Sequence, residues 1–251
     1  MKALLLRVGI DLGYGALSPV FNDNTYEFIP IYYKNLKENE KNEIRTYNEL
    51  NSNYKIDKHG KQTITNKGNL TQYLPQKIHN KIVHLDPEFE SYTYGEPNHP
   101  KRAALLKLNE GDILAFYLGG HIWNMEPKIN KNVYLFSYFI VKKVYDWDNL
   151  TKNERLLLSK TELKNNAHII SSKSKNNLVV VKGDPSRSKK LKKCICISEK
   201  NRDSNNPPYL TSRKIKKLIG IRDHITRAVP LWITRDKYLD NFKNLLGIKD
   251  L

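Results

Sequence analysis

Four carboxylates in the N-terminal half of the sequence are of the type that does acid–base or metal chemistry. Three of them, Asp86, Glu88 and Glu90, alternate in the stretch DPEFESYTYGE, and an extended segment places alternating side chains on one face. Two or three carboxylates together bind a divalent cation through oxygen or act as an acid and a base. Asp11 joins this catalytic set if the first loop, DLGYGALSP, folds over it. The alternative is a solvated acidic loop whose carboxylates pair with lysines or cap turns.

The histidines give no metal-binding pattern of their own. There are seven, and no two of them have the spacing of metal ligands on a helix. His84 and His99 flank the acidic stretch, which makes them the candidates for proton transfer. The sequence therefore assigns neither a metal nor a cofactor, and it leaves metal dependence open.

A basic turn and the C-terminal part contain the residue types that bind phosphate. KGDPSRSKKLKK follows an apolar run, and hydroxyls, backbone N–H groups and cations at a tight turn suit a phosphate oxygen. The glycine spacing of a P-loop is absent, so we do not expect nucleotide hydrolysis. The alternative is an exposed basic hairpin. The predicted nucleic-acid-binding residues are Ser186, Arg187, Ser188, Lys189, Lys190, Lys192, Lys193, Arg213, Lys214, Lys216 and Lys217.

The chain carries a formal net charge of +17, and most of this charge lies in residues 182–251. Such self-repulsion is typical of proteins that bind polyanions, although a lysine-rich composition without function is the alternative. No stretch resembles a signal peptide or a membrane span, and Cys194 and Cys196 form neither a disulfide framework nor a zinc set. We therefore predict a cytoplasmic protein that binds DNA or RNA and no membrane. The oligomeric state stays open.

Four aromatic residues are candidates for a base pocket. Tyr117, Trp123, Tyr138 and Trp147 belong to two strongly apolar runs, KLNEGDILAFYLGG and NVYLFSYFIVKKVYDW, and to their connection. Aromatic side chains stack on single-stranded or extruded bases. The alternative is that these residues belong to the hydrophobic core, as most aromatic residues in strands do.

The elements that must position these residues are many short strands with a few helices between and after them. The apolar runs at 107–120 and 132–147 predict buried strands, and TKNERLLLSK predicts a helix capped by Asn149 or Thr151. Residues 34–80 are rich in Lys, Asn and Thr and predict a polar surface insertion, whereas 200–251 predict a basic helical extension. The chain is predicted to be one domain, 1–251, with an α+β fold.

Two resemblances to known families add to this prediction. Gly111, Asp112 and the runs that follow are similar to the pattern of PUA-like barrels, which include the ASCH, EVE and YTH domains. This resemblance covers 107–147 and implies a mixed β-barrel with flanking helices. Five stretches across most of the chain resemble the uncharacterised nucleotide modification associated domain family, type three: RVGIDLGYGALSPVF, YEFIPI, HLDPEFESYTYGEP, KRAALLKLNEGDILAFYLGG and VVVKGDPSRSKKL. That resemblance implies an α+β fold and a link to modified nucleotides, without an established reaction.

Taken together, the patterns predict a nucleic-acid-binding protein that recognises a modified or extruded base in DNA or RNA. The basic residues would bind phosphates, and the aromatic strands would hold the base. The alternative is an enzyme that acts on nucleotides or nucleic acid through the four carboxylates, with or without a metal. A third hypothesis is a protein-interaction module whose basic face meets an acidic partner.

Overall fold

The fold, taken from a computed structural model of the chain, is of the α+β class. The structure describes residues 1–34, 45–57, 62–125, 130–171, 175–199 and 209–249, with the backbone alone over 62–67. The strands are β1 (Ala3–Val8), β2 (Ser18–Val20), β3 (Ile31–Tyr32), β4 (Asn51–Ile56), β5 (Gln62–Asn69), β6 (Val83–His84), β7 (Thr93–Glu96), β8 (Ile113–Ile122), β9 (Lys131–Asp146), β10 (Val179–Gly183), β11 (Lys189–Cys196), β12 (Ser198–Glu199), β13 (Tyr209–Thr211), β14 (His224–Ile225) and β15 (Leu231–Ile233). The α-helices are α1 (Lys101–Leu105), α2 (Lys152–Lys160), α3 (Ala167–Ile170), α4 (Arg213–Ile219) and α5 (Asp236–Leu246).

One large mixed sheet forms the centre of the protein. Its strand order is β15-β1-β8-β9-β10-β7, with β11 also paired to β9 and β2 to β8. β1 and β2 run parallel to β8, whereas the other ladders of this sheet are antiparallel. In the part of the chain that the structure describes, the end strands β15 and β7 do not pair with each other, so the sheet is open. The predicted α+β class is confirmed, whereas these strands do not close the predicted barrel.

The two apolar runs of the sequence form the long central hairpin of β8 and β9, as predicted. Neighbouring residues of β8 point to opposite faces, so that Phe116 enters one hydrophobic cluster and Tyr117 enters another. Both residues are fully buried. Because the hairpin is covered on both faces, its sequence is almost continuously apolar rather than alternating.

The C-terminal part contributes to this sheet instead of extending from it. β15 pairs with β1, and helices α4 and α5 cover one sheet face through Ile219 and Phe242, both fully buried. The prediction of a helical extension missed β13, β14 and β15. These strands have only two or three residues each, which is too short to show a hydrophobic period.

The predicted polar insertion also contains core residues. Within 45–80 the chain forms the β4–β5 hairpin, and Tyr47 is fully buried with its hydroxyl donating to the Pro30 carbonyl at 2.6 Å. The described part of this segment therefore belongs partly to the core. The sequence did not show this, because scattered tyrosines can be buried without producing a hydrophobic period. Residues 35–44 and 58–61 lie outside the described residues.

Both cysteines lie on β11 as free thiols, with Cys194 buried and Cys196 exposed. Among the helices that the structure describes, none is both long enough and apolar enough to cross a membrane.

Candidate functional site

Two histidines and one aspartate that are distant in sequence meet beside β7. His84 ends β6, Asp86 lies in the following loop, and His168 belongs to α3. The Nε2 atoms of His168 and His84 lie 3.4 Å and 4.0 Å from Asp86 Oδ2. The two imidazole rings meet edge to face, with centroids 4.6 Å apart. We call these three residues the His–Asp cluster.

Hydrogen bonds and close packing hold the His–Asp cluster in place. The Gly95 backbone N–H donates to both carboxylate oxygens of Asp86, at 3.1 and 3.3 Å. Asn166 caps α3 by accepting from the His168 N–H, and its own amide donates to Thr93 on β7. A Cβ at position 95 would lie 2.6 Å from His168 Cδ2, so only glycine lets α3 approach β7 this closely.

Burial gives Asp86 an unusual titration. The carboxyl group is almost completely removed from water, which raises the pKa of Asp86 to about 6. The neighbouring His168 opposes this rise through a hydrogen bond and its charge. Carboxyl groups with strongly shifted pKa values are concentrated at functional sites, because catalytic acids and bases need pKa values matched to their task.

A lysine and a glutamate form a second polar group close to the His–Asp cluster. Lys101 of α1 is 3.6 Å from Glu96 Oε2 and donates to the Arg7 carbonyl at 3.2 Å. The Tyr94 hydroxyl donates to the same Glu96 oxygen at 3.2 Å. Burial lowers the pKa of Lys101, although the Glu96 carboxylate opposes this effect. A buried amine of lowered pKa is a candidate for proton transfer.

Two cavities adjoin the His–Asp cluster. The charged cavity, of about 160 Å³, is lined by all three cluster residues together with Glu96, Lys101 and Arg227. The tyrosine cavity, of about 280 Å³, is lined by Tyr14, Ile31, Tyr32, Tyr33, Lys34, His84, Pro97, His168, Ser171, Lys175 and Leu178. His84 and His168 line both cavities, as does Ile31, so these three residues belong to the wall between them.

Aromatic rings and two lysines shape the tyrosine cavity. Tyr14 and Tyr32 pack edge to face with centroids 5.1 Å apart, and Tyr33 packs in the same way on His84 at 4.9 Å. Lys34 Nζ lies 4.3 Å from the centre of the Tyr14 ring. Burial lowers the pKa of Lys175, which also lines the cavity. A largely aromatic cavity with a few cations at its wall is typical of sites for planar ligands.

The four predicted catalytic carboxylates do not meet. Asp86 belongs to the His–Asp cluster, and Asp11 lies beside the charged cavity, where it forms an ion pair with Arg227. Glu88 instead accepts hydrogen bonds from the backbone N–H of Glu90 and Ser91 and from two hydroxyls, so it closes the turn before β7. Glu90 is exposed. The chain turns back between Glu88 and Thr93, so Glu90 lies in a turn and not on one extended face with Asp86 and Glu88.

Replacing Glu88 with glutamine should therefore destabilise the fold. The change puts an amide N–H₂ group among buried donors, and we expect a loss of about 1–3 kcal/mol in the free energy of unfolding. Glu90→Gln is the matched control, since this carboxylate is exposed and we expect no measurable change. Denaturant unfolding measures both. Equal unfolding midpoints for the two variants would contradict the structural role of Glu88.

The predicted phosphate-binding turn is bonded largely to itself. Ser186 and Arg187 donate to Asp184, and these bonds lower the pKa of Asp184 to about 2. The Ser188 hydroxyl is buried and accepts the Ile140 N–H at 3.0 Å. The exposed members of the predicted set outside this turn are Lys189, Lys192 and Lys193 on β11 and Arg213, Lys214, Lys216 and Lys217 on α4. Lys190 on β11 is exposed along its side chain, but its amine lies 5.7 Å from the centre of the Phe89 ring, and burial lowers its pKa. Lys216 pairs with Asp223.

The predicted base pocket does not form from its four aromatic residues. Tyr117 and Tyr138 lie in the cluster under α4 and α5, and Trp147 lies in another hydrophobic cluster at 4% exposure. Trp123 is half-buried against Tyr73, with ring centroids 5.2 Å apart. None of the four lines the charged or the tyrosine cavity. The candidate base site therefore moves from β8 and β9 to the tyrosine cavity.

A third cavity has a mixed aromatic and basic lining. It measures about 290 Å³ and lies between α4, β15 and α5, where Trp232 and Tyr238 meet Lys216 and Arg235. Among the residues that the structure describes, no cluster like the His–Asp cluster adjoins it. It is thus a competing place for a base to stack, but it offers no acid–base pair from the described residues that line it.

Sequence reasoning missed most of this site. His168 lies on α3, Lys101 on α1 and Arg227 between β14 and β15, and no spacing in the sequence connects them with Asp86. His84 was among the proton-transfer candidates, whereas His99 is exposed. Only the pair of His84 and Asp86 could be recognised locally. They are two residues apart, and this spacing places both at the same strand end.

The fold and the site define an α+β protein with a buried polar cluster between two cavities. The chain belongs to the nucleotide modification associated domain 3 (Nmad3) family, whose family model matches residues 2–235. This match covers every residue of the cluster and both cavities, and it confirms the resemblance seen in the sequence. No curated protein and no solved structure matches the chain significantly. The family description associates the chain with nucleotide modification.

Proposed function

We propose that the protein is an enzyme that acts on a nucleotide unit of DNA or RNA, with the base in the tyrosine cavity and the reacting atom at the His–Asp cluster. One observation carries this proposal: His84 and His168 line the tyrosine cavity and the charged cavity at once. A planar ligand in the aromatic cavity is therefore within reach of buried acid–base groups. The family description supports a nucleotide as that ligand.

The aromatic walls suit an extruded base. Enzymes that do chemistry on a base take it out of the stack and hold it between aromatic side chains. Tyr14, Tyr32 and Tyr33 supply such walls, and Lys34 and Lys175 supply positive charge for a phosphate beside them. The exposed cations on β11 and α4 would bind more distant phosphates.

The His–Asp cluster suits proton transfer close to neutral pH. Imidazole changes its charge in this range, and a carboxylate at hydrogen-bonding distance orients the ring and stabilises its protonated form. Asp86 is placed to do this for His168 at 3.4 Å. Lys101 and Glu96 across the charged cavity would contact the part of the substrate that lies beyond the imidazoles.

The tyrosine cavity gives the test of base binding. Tyr32→Ala should lower the affinity for single-stranded oligonucleotides by about 1–3 kcal/mol, because one stacking surface is removed. Tyr32→Phe keeps the ring and should bind like the parent protein. Fluorescence anisotropy with DNA and RNA oligonucleotides of each base measures both, and thermal melting checks the fold. Unchanged binding by a folded Tyr32→Ala variant would contradict the proposal.

A second candidate is a reader that binds a modified or extruded base without changing it. The tyrosine cavity alone favours it, since recognition needs stacking and not the cluster. The resemblance of 107–147 to PUA-like domains, some of which read modified bases, would support this candidate. The nucleoside masses of an oligonucleotide after incubation with the protein distinguish the two, because a reader leaves them unchanged. For either candidate function we propose a cytoplasmic location, because thiols stay reduced there and both cysteines are free.

A further inference from the structure

We propose that His84, Asp86 and His168 bind a divalent transition-metal ion. This inference deepens the proposed function and rests on it for the chemistry of the metal, but the binding itself does not depend on any nucleotide. The ion would lie in the wall between the tyrosine cavity and the charged cavity. A ligand in either cavity would then have access to it.

The three side chains are close to the separations that a bound ion requires. One nitrogen or oxygen atom from each residue lies within 4.8 Å of the others. With metal–ligand bonds of about 2.0–2.2 Å, tetrahedral ligand atoms lie about 3.4 Å apart. His168 Nε2 is already 3.4 Å from Asp86 Oδ2, and His84 Nε2 at 4.0 Å needs only a small movement of its ring.

The surroundings fix the donors as a metal site requires. The Gly95 N–H donates to both oxygens of the Asp86 carboxylate, and the Asn166 cap fixes the start of the short helix that carries His168. Such outer hydrogen bonds orient ligands and are part of most metal sites. His84 and Asp86 are 8% and 7% exposed, so a partly dehydrated ion would find a carboxylate to neutralise part of its charge.

The donor set selects the kind of metal. Two imidazoles and one carboxylate favour zinc, iron(II), cobalt or manganese, whereas calcium and magnesium prefer oxygen ligands alone. Three protein ligands leave positions for water or substrate, as in catalytic zinc sites and in iron(II) sites with two histidines and a carboxylate. Because the imidazoles line both cavities, these open positions would face the cavities.

Direct metal titration tests the inference on protein without an affinity tag. After chelation and removal of the chelator, Zn²⁺, Mn²⁺ and anaerobic Fe²⁺ are titrated by calorimetry, with Mg²⁺ for comparison. We expect one transition-metal ion per chain and no comparable Mg²⁺ binding. His168→Ala and Asp86→Asn should weaken the binding by at least about 100-fold. Glu90→Gln and His224→Ala, which change exposed residues, should bind as the parent does.

A spectroscopic measurement covers the case in which a ligand variant does not fold. Co²⁺ added to the parent protein should give the visible absorption of a four- or five-coordinate nitrogen and oxygen site. No stoichiometric binding by the parent, or equal binding by folded His168→Ala, would overturn the inference in favour of a metal-free proton relay. If Tyr32→Ala still weakens oligonucleotide binding in that case, the proposed function survives. If the metal binds but Tyr32→Ala does not change oligonucleotide binding, the assignment of the base site is contradicted and the metal site is not.

Discussion

His168→Ala should lower the rate of nucleotide conversion by about 10²–10⁴-fold, the usual contribution of a positioned acid or base. Oligonucleotide affinity should change far less than the rate, since Tyr14, Tyr32 and Tyr33 all remain in the tyrosine cavity. The expected loss is large because His168 is the cluster histidine nearest Asp86 Oδ2 and because it lines both cavities. The measurement is the single-turnover consumption of the substrate nucleoside, followed by mass spectrometry of digested oligonucleotides.

His224→Ala is the control for this experiment. His224 is an exposed histidine on β14 and lines neither cavity, so its loss should leave the rate unchanged. Thermal melting of both variants separates a chemical effect from unfolding. Equal rates for His168→Ala and the parent protein would contradict a role of the His–Asp cluster in the reaction.

The affinity for nucleic acid should fall steeply with salt. If six to ten phosphates are contacted, the affinity drops by about 10³–10⁵-fold between 50 and 200 mM salt. The combined change Lys189→Gln, Lys192→Gln and Lys193→Gln should lower the logarithmic salt slope by about one unit for each phosphate that is no longer neutralised. Base preference should not change, because phosphate contacts carry no sequence information directly. Filter binding over a salt series measures the slope.

A change of the same kind elsewhere is the control for the salt experiment. Lys142→Gln and Lys143→Gln remove exposed charges from β9, outside the predicted nucleic-acid-binding set. We expect this control to leave the salt slope unchanged. If only the total charge matters, both sets of changes will instead reduce the slope in proportion to the charge removed. A parent protein that binds no nucleic acid at 50 mM salt would contradict the assignment of the basic residues.

Elements with a strong local signal were predictable from the sequence. The continuous apolar runs became β8 and β9, since strands that are buried on both faces have such a composition. Thr151 caps α2 by accepting the Glu154 N–H, and Glu154 bonds back to Thr151, as the spacing of the two residues indicates. In both cases the determining contacts lie within a few residues or in one uninterrupted run.

The candidate site was not predictable in the same way. Asp86 and His84 were recognisable as chemical residues, but His168 reaches them only because Gly95 lets α3 approach β7. The aromatic prediction failed for a related reason: Tyr117 in a central strand is buried from both sides, whereas Tyr32 on the two-stranded β3–β6 sheet is half-exposed. Sequence patterns report local burial, but a site of this kind depends on long-range packing.

Photo-crosslinking tests the central claim, that a base lies in the tyrosine cavity beside the His–Asp cluster, most directly. A single-stranded oligonucleotide with one 5-iodouracil is irradiated with the protein, and the crosslinked residues are identified by mass spectrometry. We expect crosslinks at Tyr14, Tyr32 or Tyr33, and their disappearance when an unlabelled oligonucleotide competes. Crosslinks confined to Trp232 or Tyr238 in the third cavity would contradict the claim.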